Sequence, residues 1–442
     1  MNNAVQYANM KDSGIKWLGS VPAHWSIRTL YQLATRVNNK NSDLAEQNLL
    51  SLSYGKIKRK DINTNDGLLP ASFDGYNIIE AGDIVLRLTD LQNDHTSLRV
   101  GHATERGIIT SAYTTLRPIN SAHSRYLYYL IHAFDLKKGF YGMGSGVRQG
   151  LNYDEVKELR VVLPPQEEQD AIVAFLDEQC AKIDTLISEE NSALEEYTNW
   201  KTIVISEAVT KGLDESATKT ESNLPGLREI AEGYSIAPIR WTISLLTDYT
   251  ANGSFADLAK NVTYKDSPDF ARLVRLTDLR AGFENDGVYV DEHAYNYLSK
   301  SALFGGEILL ANVGAYAGLA VEMPKVSFLA TLGPNMFLIK MDSFFWNQHF
   351  AYYALSSLLC WQQLVLLANK TTAQPKLNKD NLKSVKAVLP PLEEQEKIAK
   401  YLDTKCIAIT SIIQEKKKLI LELEAYKRSL IYEVVTGKRK VV

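Results

Sequence analysis

No apolar run in this chain approaches the ~20 residues that cross a bilayer, and its opening, MNNAVQYANMKDSG, has no apolar signal-peptide core. Cysteine is scarce. Cys180, Cys360 and Cys406 form an odd set without CxxC spacing, which argues against a disulfide framework and for a reducing cytoplasm. The seven histidines are scattered, with neither HExxH nor Cys/His spacing, so no metal site is expected. GxGxxG and GxxxxGK[ST] are missing, and TGKRK lacks the leading glycine and final hydroxyl of a phosphate loop. LPPQ and LPPL are neither preceded by Asn or Asp nor followed by an aromatic, so they are not the [ND]PP[FYW] motif of amino-methyltransferases. Positive charge is not in excess either: 49 Lys and Arg face 52 Asp and Glu, for a net −3 and a pI of about 6.2. A role on nucleic acid must then rest on local basic patches, or on a partner that supplies the field.

What is present is a text written twice. VVLPPQEEQDAIVAFLDEQCAKIDTLI (161–187) returns as AVLPPLEEQEKIAKYLDTKCIAITSII (387–413), 226 positions later. Leu176/Leu402, Asp177/Asp403, Cys180/Cys406, Ile183/Ile409, Ile187/Ile413 and Lys201/Lys427 pair without a gap, and Leu151/Leu377 and Asn152/Asn378 hold the same offset upstream. Further back, GDIVL (82–86) answers GEILL (306–310), and LYYL (127–130) answers AYYA (351–354), at an offset of 224. A long period occurring twice marks a duplicated domain and not a solenoid. The layout expected is a variable domain over 1–165, a helix over 166–212 and a polar linker over 213–223. A second variable domain follows over 224–391, then a second helix with a basic tail over 392–442.

Each near-constant segment predicts one long helix. A Pro-Pro step ends the strand-like VVL or AVL, and proline at the first helical position sacrifices no hydrogen bond. Glu167 and Glu168 then sit in the first turn, where the dipole favours negative charge. No Pro or Gly follows until Gly212 and Gly437, which would cap the ends; about 45 residues give a length on the order of 65 Å. Leu176, Cys180, Ile183, Ile187, Glu190, Leu194, Tyr197 and Lys201 step by alternating fours and threes. Leu402, Cys406, Ile409, Ile413, Lys416, Ile420, Leu423 and Lys427 do the same. This is the spacing of a coiled-coil seam that needs a partner helix. Both cysteines read as small apolar seam residues, with no histidine nearby in sequence to activate a thiolate. The polar pairs Glu190/Lys416 and Lys201/Lys427 either fix the register of the seam or stand where the helices bow apart into water.

The variable regions mix short strand-like runs with one helix-like stretch each, SRYLYYLIHAF and FAYYALSSLLCWQQLVLL, and read as α+β domains. RLTDL occurs at 87–91 and at 275–279, and reads as an alternating strand with Arg and Asp outward. Loops combining cations, amides and glycine are the candidate contacts to nucleic acid, because Arg and amide side chains read base edges while Lys and hydroxyls suit phosphates. In the first half these are Lys56, Lys58, Arg59, Lys60, Arg87, Arg99, Tyr141, Ser145, Arg148 and Gln149. In the second they are Arg275, Arg280, Asn312, Tyr316, Lys370, Thr371, Thr372, Gln374 and Lys376.

Two variable domains alternating with two near-identical helices resemble the specificity subunits of Type I restriction-modification enzymes. LPPxEEQxxIxxxLD, the ending EAVTKGLD, the opening KDSGIKWLGSVPAHW and SGVRQGLNYDEVKELRVVLPP are all similar to that family, over essentially the whole chain. The second half departs from it in its opening, NLPGLREIAEGYSIAPIRW, and in carrying Gln374 where the first has Arg148. The resemblance implies that each variable domain reads half of a split double-stranded DNA site and that the helices pair as an antiparallel coiled coil. It also implies docking of methyltransferase subunits, two of them, joined by restriction/translocase subunits. S-adenosylmethionine, ATP and Mg2+ would then serve those partners, and this chain would hold no cofactor and catalyse nothing. A methylation-only system is the nearest alternative. A stand-alone nuclease built on the clustered carboxylates, or a coiled-coil scaffold without DNA contact, are the rivals from other classes.

Overall fold

A computed structural model of the chain describes residues 6–63, 70, 72–94, 96–143, 150–368 and 374–441. They fall into two units, Met1–Asn191 with Lys418–Val442, and Ser192–Lys417. The two long helices, Gln166–Lys211 and Leu392–Val435, therefore each give one end to each unit. Strand and helix are mixed throughout, in an α+β fold.

The units repeat one plan. Each opens on a hairpin, Met10–Asp12 with Ser20–Pro22 in the first and Lys219–Leu224 with Leu227–Ala231 in the second. The second half of the 213–223 segment, expected as a linker, is thus part of a strand. Next, Ser26–Thr29 pairs with Arg160–Leu163, and Ser235–Pro238 with Lys386–Leu389. These pairs seat the strand before each Pro-Pro step against the start of its domain. A four-stranded antiparallel sheet follows in the order 34–36, 114–118, 84–86, 100–102, and its counterpart runs 243–248, 336–341, 308–311, 320–322. Helices Ser124–Leu136 and Gln348–Ser356 lie beside the long helices and bury their aromatic stripes in the two main cores.

The units differ in the second sheet. The first unit has two separate ribbons, Leu50–Ser53 with Lys56–Arg59 and Asn77–Ile79 with Gly107–Ile109. The second has a mixed four-stranded sheet in which Ala271–Val274 runs parallel to Ala330–Leu332. It also has an extra helix, Leu358–Ala368, so the long apolar stretch read as one helix is broken at Ser357. Among the described residues no single helix is long and apolar enough to cross a membrane.

Sequence equivalences acquire physical reasons here. Asn152 and Asn378 are helix N-caps: their side chains accept from Glu155 N (3.2 Å) and Asn381 N (2.7 Å), and those residues reach back to the Asn backbone. Gly212 (φ +77) and Gly437 (φ +69) end the long helices in the left-handed conformation, as their positions predict. RLTDL is not a strand in either place. At 87–91 it follows strand Ile84–Leu86 as a loop, and at 275–279 it caps and starts helix Leu276–Arg280 after strand Ala271–Val274. The backbone turns because Asp278 accepts from Arg275 N at 2.7 Å, which is helix-cap chemistry and not ladder chemistry.

Candidate nucleic-acid interface and the helix seam

The repeated PPxEEQ motif is an anchor. Gln169 and Gln395 are buried, and each folds its amide back onto the carbonyl of the first proline, Pro164 or Pro390, at 2.8 Å. Their carbonyl oxygens accept from the domain that precedes each helix, Gln169 from His123 at 2.9 Å and Gln395 from Asn347 N at 2.8 Å. Glu168 accepts from Trp25 Nε1 (3.0 Å) and Tyr7 OH (2.9 Å) and meets His24. These bonds hold its carboxyl below the usual range despite partial burial. Glu394 bonds Tyr234, which stands where Trp25 does. The acids that look like a reactive cluster in sequence tie the helix start to the domain's opening strands.

Two turns further on, Asp177 and Asp403 repeat a second contact. Asp177 takes Arg125 (2.6 Å) and the Tyr129 hydroxyl (2.5 Å). Asp403 takes His349 (2.6 Å) and the Tyr353 hydroxyl (2.8 Å), and His349 also meets Glu322 at 2.7 Å. Sequence reasoning missed these partners, although the aligned YY pairs in LYYL and AYYA carry both tyrosines. The Glu322 hydrogen bond, aided by Asp403 and opposed by burial, raises His349 to about 9. A folded value above the ordinary 6.5 means that this contact contributes fully below about 6.5 and is lost as pH rises through about 9. Amide exchange in helix Gln348–Ser356 is therefore expected to quicken between pH 8 and pH 10, while helix Ser124–Leu136, held by an arginine that does not titrate there, stays protected. His349→Arg should abolish the difference; equal pH dependence of both helices in the native chain would refute it.

Along the seam, Leu176, Cys180 and Ile183 bury against Leu430, Ile431 and Val434 in the first unit. Leu402 and Cys406 bury against Ile205, Ala208 and Val209 in the second. Ile409 is buried too, whereas Ile187, Leu194, Ile413 and Ile420 are half-exposed. The helices run antiparallel in each unit. In the first, Phe175 faces Arg439 and Asp184 binds Lys427 (2.6 Å); in the second, Tyr197 faces Lys416 and Lys201 donates to Thr410 (2.8 Å). Lys427 and Lys201 are equivalent positions, as are Asp184 and Thr410, so one contact is made twice. These polar residues have partners across the seam and fix its register. Burial pushes the thiols of Cys180 and Cys406 up, which keeps them unreactive at neutral pH.

In the first unit Lys56, Lys58 and Lys60 are exposed, and Arg59 is engaged with Glu105 through Nε at 2.8 and 2.9 Å. Arg99, expected at the DNA surface, is fully buried (0 % exposed). Its guanidinium donates to the carbonyls of Arg87, Thr89, Asp90 and Asp94 and to Tyr141 OH. A cation surrounded by five acceptors organises the 87–94 loop and is not available to a ligand. Tyr141 donates to Asp94 O (2.8 Å), and Arg87 pairs with Asp94 at 3.5 Å, so both join the same knot. Ser145, Arg148 and Gln149 lie outside the described residues, as do Lys370, Thr371 and Thr372.

In the second unit Arg275 is tied to Asp278 by two 3.0 Å hydrogen bonds, and Asp278, which also takes Arg272, is held at about 2 against the cost of its burial. The other candidates converge on the 312–316 loop. Arg280 lies 4.1 Å over the Tyr316 ring, Gln374 sits beside Gly314, and Lys376 bridges Val313. Asn312 holds this loop through Leu377 N (2.8 Å), while its side-chain oxygen, buried, has no partner among the described residues. A cleft of about 470 Å3 opens beside Asn312 and Lys376, with Phe255, 82 % exposed, among its walls. Cation, amides and a bare aromatic on one rim suit the edges and faces of nucleobases.

The family model for the Type I restriction modification DNA specificity domain matches residues 22–196 and 279–422. Two relatives from Methanocaldococcus jannaschii are each 23 % identical. The specificity subunit named for type I restriction enzyme MjaX aligns over 438 residues, 96 % of both chains. That of MjaVIII aligns over 401 residues, 89 % of this chain and 84 % of the relative. A solved structure from work on complex assembly and conformational transition of the type I R-M system superposes with a TM-score of 0.63 at 14 % identity, covering 94 % of this chain and 98 % of that one; it shares the fold. With the family model spanning well over half of its length, the chain belongs to the Type I restriction-modification specificity subunits, which recognise DNA and do not themselves catalyse.

Proposed function

We propose that each unit reads one half of a bipartite double-stranded DNA site, that the paired helices set the gap, and that methyltransferase subunits dock on those helices. What supports this reading is that the helix-side anchors Glu168/Glu394, Gln169/Gln395 and Asp177/Asp403 repeat while the loops expected to touch DNA do not. A chain with two equal mounts and two different readers suits an asymmetric split site. Two docked methyltransferases fit a further equivalence: Trp200 and Tyr426 stand 226 positions apart, and both are bare, at 47 % and 51 % exposed. Large exposed aromatics are favoured anchors of protein interfaces. Restriction/translocase subunits would join through the methyltransferases. S-adenosylmethionine, ATP and Mg2+ would act in those partners, in the cytoplasm. The near-neutral charge of this chain agrees with partners that contribute many of the phosphate contacts.

The assembled complex should shift a duplex carrying the site that methylome sequencing of expressing cells identifies. Arg280→Ala and Gln374→Ala should each weaken binding by about ten- to a hundred-fold, the worth of one paired base contact. Cleavage or methylation of DNA by the purified chain alone, supplied with Mg2+ and S-adenosylmethionine, would overturn the reading.

A further inference from the structure

The ribbon Leu50–Ser53 with Lys56–Arg59 has a two-residue tip, Tyr54–Gly55, with Leu52 opposite Ile57 and Ser53 opposite Lys56. Both tip residues have positive φ, 47° and 76°. Hairpins of this length require that conformation, and Asn-Gly satisfies it best; a tyrosine there is strained. The strain is not offset by packing, because Tyr54 is 76 % exposed. Strand alternation sorts the rest of the ribbon into two faces. Leu50, Leu52 and Ile57 turn inward, so closely over Gly101 that a Cβ there would lie 2.5 Å from Leu52 Cδ1. Ser51, Ser53, Lys56 and Lys58 form the other face, which presents hydroxyls and ammonium groups without a carboxylate.

We infer that this ribbon is the groove-entering element of the first unit, with Tyr54 as the contact at its tip and Lys56 and Lys58 on the flanking phosphates. The inference rests on the reading of the unit as a DNA half-site reader. A two-stranded ribbon fits the major groove, which is about 12 Å wide. An exposed ring held in a costly backbone conformation is what a binding residue looks like when the position is kept for contact and not for folding. Among the described residues the second unit has no ribbon at the equivalent place, its only two-residue-tip hairpin being the opening one, and it presents the 312–316 loop instead, so the two half-sites are approached by different devices.

The test uses the full chain assembled with its methyltransferase and a duplex carrying its methylated site. Tyr54→Asn supplies the preferred Asn-Gly turn. It should lose at least tenfold in affinity while melting no lower than the native chain. Tyr54→Phe, which keeps the ring, should stay within about threefold. Lys58→Gln should reduce the slope of log affinity against log salt by about one. Native-like affinity of Tyr54→Asn would overturn the inference, as would a loss fully explained by weaker methyltransferase binding. Should Tyr54→Asn melt lower, the exposed change Lys58→Gln decides, and an unchanged salt slope overturns the inference. Failure of the native complex to bind any duplex would instead defeat the half-site reading itself, and this inference with it.

Discussion

Removing seven residues from each long helix, 188–194 and the equivalent 414–420, is expected, on the proposed split-site reading, to shorten the gap between the half-sites by about three base pairs while leaving their sequences unchanged. Seven residues amount to about 10.5 Å of helix, against about 3.4 Å per base pair. The number also preserves the seam, whose repeat is 3.5 residues. Register survives because the deletion is symmetrical. Asp184 still meets Lys427, and Lys201 still meets Thr410, since each pair loses the same length of helix between itself and the other. Deleting seven residues from one helix alone forces one of these pairs, and the apolar layer around it, two turns out of step. That variant should lose assembly altogether. Methylome sequencing reads both outcomes in cells. Altered half-sites at an unchanged gap would refute the role of the helices as the ruler.

A second large effect is expected at Gly437. With φ +69, any L-residue there is strained, and a Cβ would lie 2.2 Å from Pro22 Cδ and 2.5 Å from Pro22 Cγ. The ring cannot withdraw easily, because Pro22 belongs to the opening hairpin and faces Met10. Gly437→Ala therefore combines backbone strain with overpacking, and about 2–4 kcal/mol is the expected cost to the first unit. Gly212→Ala has the same backbone problem, but its Cβ meets the tip of the Tyr234 ring at 2.6 Å, which can swing aside. A smaller cost, about 1–2 kcal/mol, is expected there. Amide exchange resolved by unit separates the two: Gly437→Ala should expose the first unit and Gly212→Ala, more mildly, the second. Equal loss in both units for either variant would contradict the assignment.

The frame of this molecule is legible in its sequence because its grammar is periodic. Leu176, Cys180 and Ile183 repeat at heptad spacing and recur 226 residues later, and a recurring period has few physical interpretations. The glycine caps were equally open to reading, since Gly212 and Gly437 do chemistry that depends only on near neighbours; Asn152 and Asn378 stood out in sequence only as a repeated pair, and the structure made them N-caps. Arg99 shows where legibility stops. Its burial depends on four carbonyls gathered from a loop around it, and carbonyls carry no sequence signature. RLTDL misled for the same reason: strand-like alternation is a weaker signal than an Asp placed to accept from the backbone three residues earlier. His349 and Arg125 are distant in sequence from the aspartates they bind, so only the fold brings them forward. Tyr54 was concealed by rarity, because a tyrosine in a tight turn is not among the residues by which such turns are recognised.

The division of the chain into a contiguous unit, Ser192–Lys417, and one assembled from both flanks has a consequence for synthesis. Leu430, Ile431 and Val434 complete the core that holds Leu176 and Cys180, Tyr432 donates to Trp17 O, and Lys438 to Leu18 O. None of these residues has been made when the first 191 leave the ribosome. At about 5–20 residues per second, the wait is on the order of 12–50 s. Both units wait for the last helix, but the unit translated second has its full sequence by Lys417, whereas the earlier one lacks part of its seam until the helix is finished.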